Sequence, residues 1–234
     1  MKKKFLVWIL AFGWALAMSG CANNGAAQAD AQSAAEEKAA VTGSSEQPQT
    51  ESSSEEDLED NPEYIALMEK IRKSKAGIPD ENGNYTIGTY STLHSADIQL
   101  LPDQVYNISA TNYLITHNSE EEDTDYTHIQ YSFVEDATKE EVEKSATDDG
   151  QYQEDRYSDV EISPVQTADV NGMTVSWVKH NYTYSYFTKY MKYYGWTEAD
   201  DHTMFLIYIE ICGDACAEAS DSLLTEAFQG VVIK

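Results

Sequence analysis

Thr203 to Cys212 reads TMFLIYIEIC, a run that is apolar on both faces of an extended chain. A strand of this kind is stable only near the centre of a sheet that carries a packed layer on each side. The rest of the chain must therefore supply flanking strands for its hydrogen bonds and covering layers for its two faces.

Flanking strands are legible upstream. Tyr85 to Thr92, Ala96 to Leu101, Val105 to Thr116 and Tyr126 to Val134 are strand-like. In the last of these Ile129, Tyr131 and Phe133 alternate with His128, Gln130 and Ser132, the pattern of a half-buried strand. Val165 to Val170 and Met173 to Val178 flank Asn171-Gly172, a pair that tolerates positive φ at both centres of a two-residue hairpin turn. A long aromatic hairpin follows, its second arm resuming near His202. Covering layers are legible too. Asn61 suits an N-cap and Pro62 the first helical position, with Tyr64, Leu67, Met68 and Ile71 on one face until Gly77. Thr138-Lys139-Glu140-Glu141 is a capping box that opens a short helix through Ala146. Asp214 to Gln229 sets Ser220, Leu223, Leu224, Ala227 and Phe228 at helical spacing. Asp148, Asp149, Gly150, Glu154 and Asp155 predict an exposed loop over 147–156. This order predicts one α+β domain over 62–234, a largely antiparallel sheet with flanking N-terminal and C-terminal helices.

Residues 22–61 have no means to join that domain. Apart from alanines their apolar side chains are Val41 and Leu58, while ten acidic residues face one lysine. So little apolar surface does not offset the entropy of ordering, and a disordered, self-repelling acidic tether is predicted. Ahead of it Lys2, Lys3 and Lys4 precede an apolar run from Phe5 to Met18. A permanent span needs about 20 residues, so the run has the size of an export signal instead. It ends at Met18-Ser19-Gly20-Cys21. This resembles the lipobox of bacterial lipoproteins, in which two small residues precede a cysteine; Met18 stands where that family most often has Leu. The resemblance implies that 1–20 is a cleaved signal peptide and that Cys21 is acylated. It also implies that 21–61 tethers the domain to the extracytoplasmic face of a cell membrane. Lipid would do the anchoring, because losing three lysines takes the net charge from -26 to -29. Polypeptide that acidic has no attraction for anionic headgroups, and it repels nucleic-acid phosphates, which sets polynucleotide partners aside.

Val170-Asn171-Gly172-Met173, the run Trp196-Thr197-Glu198-Ala199-Asp200-Asp201 before an apolar strand, and Leu223-Leu224 followed by Val231-Val232-Ile233 form a further pattern. With it the C-terminal part, about residues 80–234, is similar to the PsbP-like domains of small bacterial lipoproteins. The resemblance implies a fold. That group is not defined by one catalytic set, so no site residue comes with it.

Tests for familiar chemistry come out empty, and no cofactor, metal or catalytic residue is expected. Ser176-Trp177-Val178-Lys179 matches the Ser-x-x-Lys of penicillin-interacting enzymes, but in a strand residues three apart point to opposite faces, and the companion motifs are missing. His94, His117, His128, His180 and His202 show no zinc spacing. Acidic clusters at Glu120 to Asp125, at Asp148 to Asp155, and at Glu198, Asp200 and Asp201 lack the arrangement of a calcium loop. There is no nucleophile elbow, Walker loop or dinucleotide fingerprint. If lipidation consumes Cys21, export favours a local disulfide between Cys212 and Cys216, with Gly213 supplying backbone freedom. A redox pair would have two intervening residues and not three, and a metal site would need two further ligands.

The segment Asn181 to Trp196, NYTYSYFTKYMKYYGW, is the most unusual. Tyr182, Tyr184 and Tyr186 share one strand face, and Tyr190, Tyr193 and Trp196 follow on the other arm. Exposed, these rings would form a binding platform for a basic protein patch or a cell-wall glycan. Buried, they are cross-strand packing. The function expected is that of a membrane-anchored, non-enzymatic binding or accessory module for a protein or an envelope component. Its rivals are an envelope-acting hydrolase with an unrecognised carboxylate pair, and a surface structural or antigenic protein. Two facing carboxylates about 5–10 Å apart in a pocket would favour the hydrolase.

Overall fold

In the computed structural model the described residues are 61–118, 125–185 and 187–234. The signal segment, Cys21, the tether and Tyr186 lie outside them. Helix α1 (Pro62–Lys75) begins as its sequence requires, with the Asn61 side chain accepting from the Glu63 N–H and Pro62 in the first turn. It buries Ile71 and Ser74. Eleven strands follow. Strands β1 (Tyr85–Gly88), β2 (Ser95–Ile98) and β11 (Val231–Ile233) form a small antiparallel sheet in the order β1-β2-β11.

The large sheet is antiparallel throughout and runs β3-β4-β5-β10-β9-β8-β6, with β7 also paired to β8. Its members are β3 (Gln104–Ser109), β4 (Tyr113–Asn118), β5 (Tyr126–Glu135), β6 (Tyr157–Ile162), β7 (Gln166–Val170), β8 (Met173–Tyr184), β9 (Thr188–Asp200) and β10 (Thr203–Cys212). The α+β class and the antiparallel sheet are thus as the sequence predicts. Strand β10 sits between β5 and β9, where its apolar faces require it to be. The remaining helices among the described residues are α2 (Lys139–Ala146), α3 (Ala215–Glu218) and α4 (Leu223–Gln229), with a 3-10 turn at Gly150–Tyr152. Among the described residues no helix is long and apolar enough to cross a membrane.

Alternation along β10 divides the core in two. Phe205, Ile207, Ile209 and Ile211 point to one side, where Ile129, Tyr131 and Phe133 of β5, Leu224 and Phe228 of α4 and the small sheet complete the larger cluster. Met204 and Tyr208 point to the other side and meet Val178, Tyr194 and Trp196 beneath Val142 and Ala146 of α2. At Gly195 of β9 the α4 side chains lie against the sheet backbone: a Cβ there would lie 2.9 Å from Leu224 and Phe228 side-chain carbons.

Several boundaries differ from the sequence expectation: β1 ends at Gly88 and β2 at Ile98, and the aromatic hairpin turns back at Thr188 and not near His202, where the next strand, β10, begins instead. Val105 to Thr116 is two strands, because Ala110 N–H bonds to the Tyr113 carbonyl and Ser109 Oγ donates to the same carbonyl, closing a turn without Gly or Pro. Asp214 to Gln229 is two short helices, broken where Ser220 Oγ accepts from the Ser222 N–H and competes with the helix ladder. The loop over 147–156 is not wholly exposed, since Tyr152 turns inward and is buried.

Candidate functional site

The second face of the large sheet carries the polar chemistry. Register places five residues side by side across consecutive strands: His117 of β4 opposite His128 of β5, His128 opposite Glu210 of β10, Glu210 opposite Lys192 of β9, and Lys192 opposite His180 of β8. The next row holds Tyr126, Cys212, Tyr190 and Tyr182. Such cross-strand neighbours interact directly.

At the centre of the row the network is closed. Lys192 Nζ lies 3.2 Å from Glu210 Oε2, Tyr208 donates to that same oxygen at 2.7 Å, and Tyr126 donates to Oε1 at 2.8 Å. The ammonium also lies over the Tyr182 and Tyr208 rings, at 5.3 and 5.9 Å. Burial first, and the neighbouring carboxylate second, push the Tyr126, Tyr182 and Tyr208 hydroxyls far above the ordinary tyrosine range, so they remain neutral. His180 is held in one tautomer: Nε2 donates to the Ala146 carbonyl at 2.8 Å, and Nδ1 accepts from Tyr152 at 2.9 Å. Burial lowers its pKa to about 4 despite the carbonyl bond, and the Lys192 charge adds to the depression.

This arrangement buries charge without offering it to a substrate. Among the described residues Glu210 is the one buried carboxylate. No group of three or more His, Cys, Asp or Glu converges as metal ligands would, again among the described residues. Ser176 and Lys179 sit on opposite faces of β8, with Lys179 paired to Asp221 at 2.9 Å and Ser176 Oγ 3.2 Å from Thr167 Oγ1.

Of the two alternatives for the tyrosine hairpin, platform or packing, the structure takes packing at Tyr182, Tyr193 and Trp196. Tyr182 is buried beneath Tyr152 and Tyr157, with ring centroids 4.9 and 5.5 Å away, and it stacks on Tyr190 at 5.2 Å. Tyr193 is buried on the opposite face, its hydroxyl donating to the Ser220 carbonyl at 3.5 Å. Trp196 is buried under α2. The inward turn of the 147–156 loop makes the difference, since it brings Tyr152 down over the hairpin. Tyr184 and Tyr190 remain half-buried, and Tyr184 accepts from Arg156 at 3.1 Å. Among the described residues of this hairpin the exposed aromatic is Phe187 at the turn, 89% accessible.

Cys212 and Cys216 are not joined by a disulfide. Cys212 shares the face of Tyr208 and Glu210, whereas Cys216 packs with Ile211 on the other side and donates to the Ile211 carbonyl at 3.4 Å. The strand therefore lies between them. Burial, with Cys212 as the second cause, pushes the Cys216 thiol up to about 11.

What the sequence did not expose is that the second face is covered over only half its width. The cluster beneath Val142 and Ala146 of α2 takes in β8, β9, Met204 and Tyr208 of β10 and Val134 at the end of β5. Over β4 and β5, in contrast, Tyr113, Ile115, His117, His128, Gln130 and Ser132 are half-buried while their alternates Leu114, Thr116, Ile129, Tyr131 and Phe133 are buried. Leu206 of β10 is half-buried beside them, and Val105 and Ile108 of β3 are exposed at 38% and 49%. The signal was present in the alternation of YLITHN, once it is separated from β3. A lone Glu in TMFLIYIEIC likewise demanded a buried cationic partner.

No family model matches this chain, and no curated protein matches it. Among solved structures the chain is similar to the Ran-binding protein Mog1p of Saccharomyces cerevisiae, with 11% identity, a TM-score of 0.41, and coverage of 64% of this chain and 94% of that one. It is also similar to the cyanobacterial PsbP protein CyanoP of Synechocystis sp. PCC 6803, with 7% identity, a TM-score of 0.43, and coverage of 65% and 93%.

Proposed function

We propose that this chain is a lipid-anchored lipoprotein of the extracytoplasmic membrane face whose PsbP-like α+β domain is a non-enzymatic binding module for an envelope protein. The contact surface is the open half of the second sheet face. The anchoring rests on the lipobox at Ser19-Gly20-Cys21 and the acidic run behind it.

One observation carries the binding reading: a single sheet face is sealed by α2 over one half and left with exposed Val105 and Ile108 over the other. Apolar side chains on an uncovered sheet face mark an interaction surface. Catalysis has less support, because the buried Glu210 has its oxygens occupied by Lys192, Tyr126 and Tyr208. A glycan has less support as well, because three of the rings that would stack on it, Tyr182, Tyr193 and Trp196, are buried.

Two experiments test the proposal. Cys21→Ser should release the protein from membranes or leave it uncleaved, and an unmodified N-terminus elsewhere would remove the anchor. A photocrosslinking amino acid at Ile115 in intact cells should trap one protein, which the same group at Val232 on the small sheet should not. Equal yields at both positions would show that the open face is not the contact surface.

A further inference from the structure

We infer that the occupant of the open face is a basic amphipathic helix of the partner protein. The inference rests on the binding reading above and adds the chemistry of what binds.

The shape argues for a helix. The open strands β3, β4 and β5 span about 10 Å between their outer axes, with half-buried Leu206 of β10 at the border, and one helix with its side chains is about 10–12 Å across. Strand addition at the β3 edge is the competing mode of docking. It is opposed by the register break between Tyr106 and Ile108, which leaves Asn107 unpaired and spoils the edge as a template. The molecule also shows what this face accepts. Over β8 and β9 it is covered by α2, a helix that presents Val142 and Ala146 inward and its charges outward. A second helix alongside would meet Ile108, Ile115 and Leu206 in the same manner.

The charge argues for basic residues. Strands β3, β4, β5 and β10 contain no Lys or Arg. Carboxylates stand at both ends of the open face. Exposed Asp103 lies where β3 begins; exposed Asp136, Glu198 and Asp201 lie where β5 ends and β9 turns into β10. Lysines or arginines at the two ends of a docked helix would meet these groups. A second copy of this chain, its own acidic tether and an anionic lipid surface would all meet like charge, since the whole chain carries -26.

The test uses the full-length protein in detergent and a fluorescein-labelled synthetic 14-residue peptide of Leu and Lys, with leucines at i, i+3, i+4 and i+7. Anisotropy should show saturable binding that weakens at least tenfold with Ile108→Asp or Ile115→Asp. Val232→Asp, at a 55% exposed position on the small sheet, should bind as the parent does. The same peptide with Glu for Lys should not bind. Added Asp makes the protein more acidic, so attraction by net charge alone would tighten binding at every variant. Unchanged or tighter binding by Ile108→Asp therefore overturns the inference, as does equal binding of both peptides or no binding of either. Thermal melting confirms that each variant is folded. If the Ile115 crosslink traps a protein while the peptide fails, the helix inference falls and the binding reading stands. If the crosslink fails, both fall.

Discussion

Lys192 and Glu210 face each other across β9 and β10 with their side chains 4% and 3% exposed, an ion pair wholly inside the second core. Removing Lys192 leaves Glu210 buried with the Tyr126 and Tyr208 hydroxyls as partners and without its countercharge; breaking a buried pair in this way costs about 3–5 kcal/mol. Lys192→Met should therefore lower the urea midpoint severely. Lys192→Met combined with Glu210→Leu removes both charges and should regain most of the loss, since a buried pair is often replaceable by apolar groups of similar volume. If the double variant is no better than the single, the hydroxyls of Tyr126 and Tyr208 that would lose their acceptor dominate the energetics instead.

His180 gives the domain an acid-sensitive term. Its folded pKa of about 4 lies below the ordinary 6.5, so the unfolded chain binds a proton that the folded chain refuses. The contribution is fully present above pH 6.5, shrinks as pH falls from about 6.5 to about 4, and is gone below that. It amounts to about 3 kcal/mol. His180→Gln keeps a donor for the Ala146 carbonyl and removes the titration. Chemical unfolding across this range should show a shallower loss for the variant than for the parent, and parallel curves would contradict the assignment.

Gly195 is required by proximity. With Leu224 and Phe228 side-chain carbons 2.9 Å from any Cβ and both side chains fully buried, Gly195→Ala forces these two side chains to shift within a filled core. Overpacking of this kind costs about 1–3 kcal/mol, and a thermal shift without loss of secondary structure checks it.

Local chemistry made much of this fold readable. Asn171 and Gly172 take φ of 52° and 82°, so the two-residue turn between β7 and β8 follows from residue type alone. The Thr138–Glu141 capping box forms in both directions for the same reason. The turn between β3 and β4 was hidden because Ala110, Thr111 and Asn112 carry no strong turn signal, and their closure depends on a Ser109 hydroxyl. The candidate site was harder still. His117, His128, Glu210, Lys192 and His180 come from five strands, and only the register brings them into line. Periodicity shows that a strand has two faces and leaves open which one a helix will cover. The tyrosines stay open between surface and core for that reason: which of the two Tyr182 is depends on Tyr152, thirty residues upstream in sequence and in contact only through the fold.

The hairpin therefore divides by position, and stability measurements can trace the division. Tyr182 is 5% exposed within a set of rings from Tyr152, Tyr157 and Tyr190, so Tyr182→Ala should cost about 3–5 kcal/mol. Tyr184 is half-buried and holds Arg156 through its hydroxyl, so its replacement by Ala should cost less, within about 1–2 kcal/mol. Phe187 stands out from the turn, and Phe187→Ala should leave stability within about 0.5 kcal/mol of the parent. The order of the three midpoints in urea is the measurement. A Phe187 variant as damaged as the Tyr182 variant would mean that the turn folds back onto the domain, and a harmless Tyr182→Ala would mean that the 147–156 loop does not close over the hairpin.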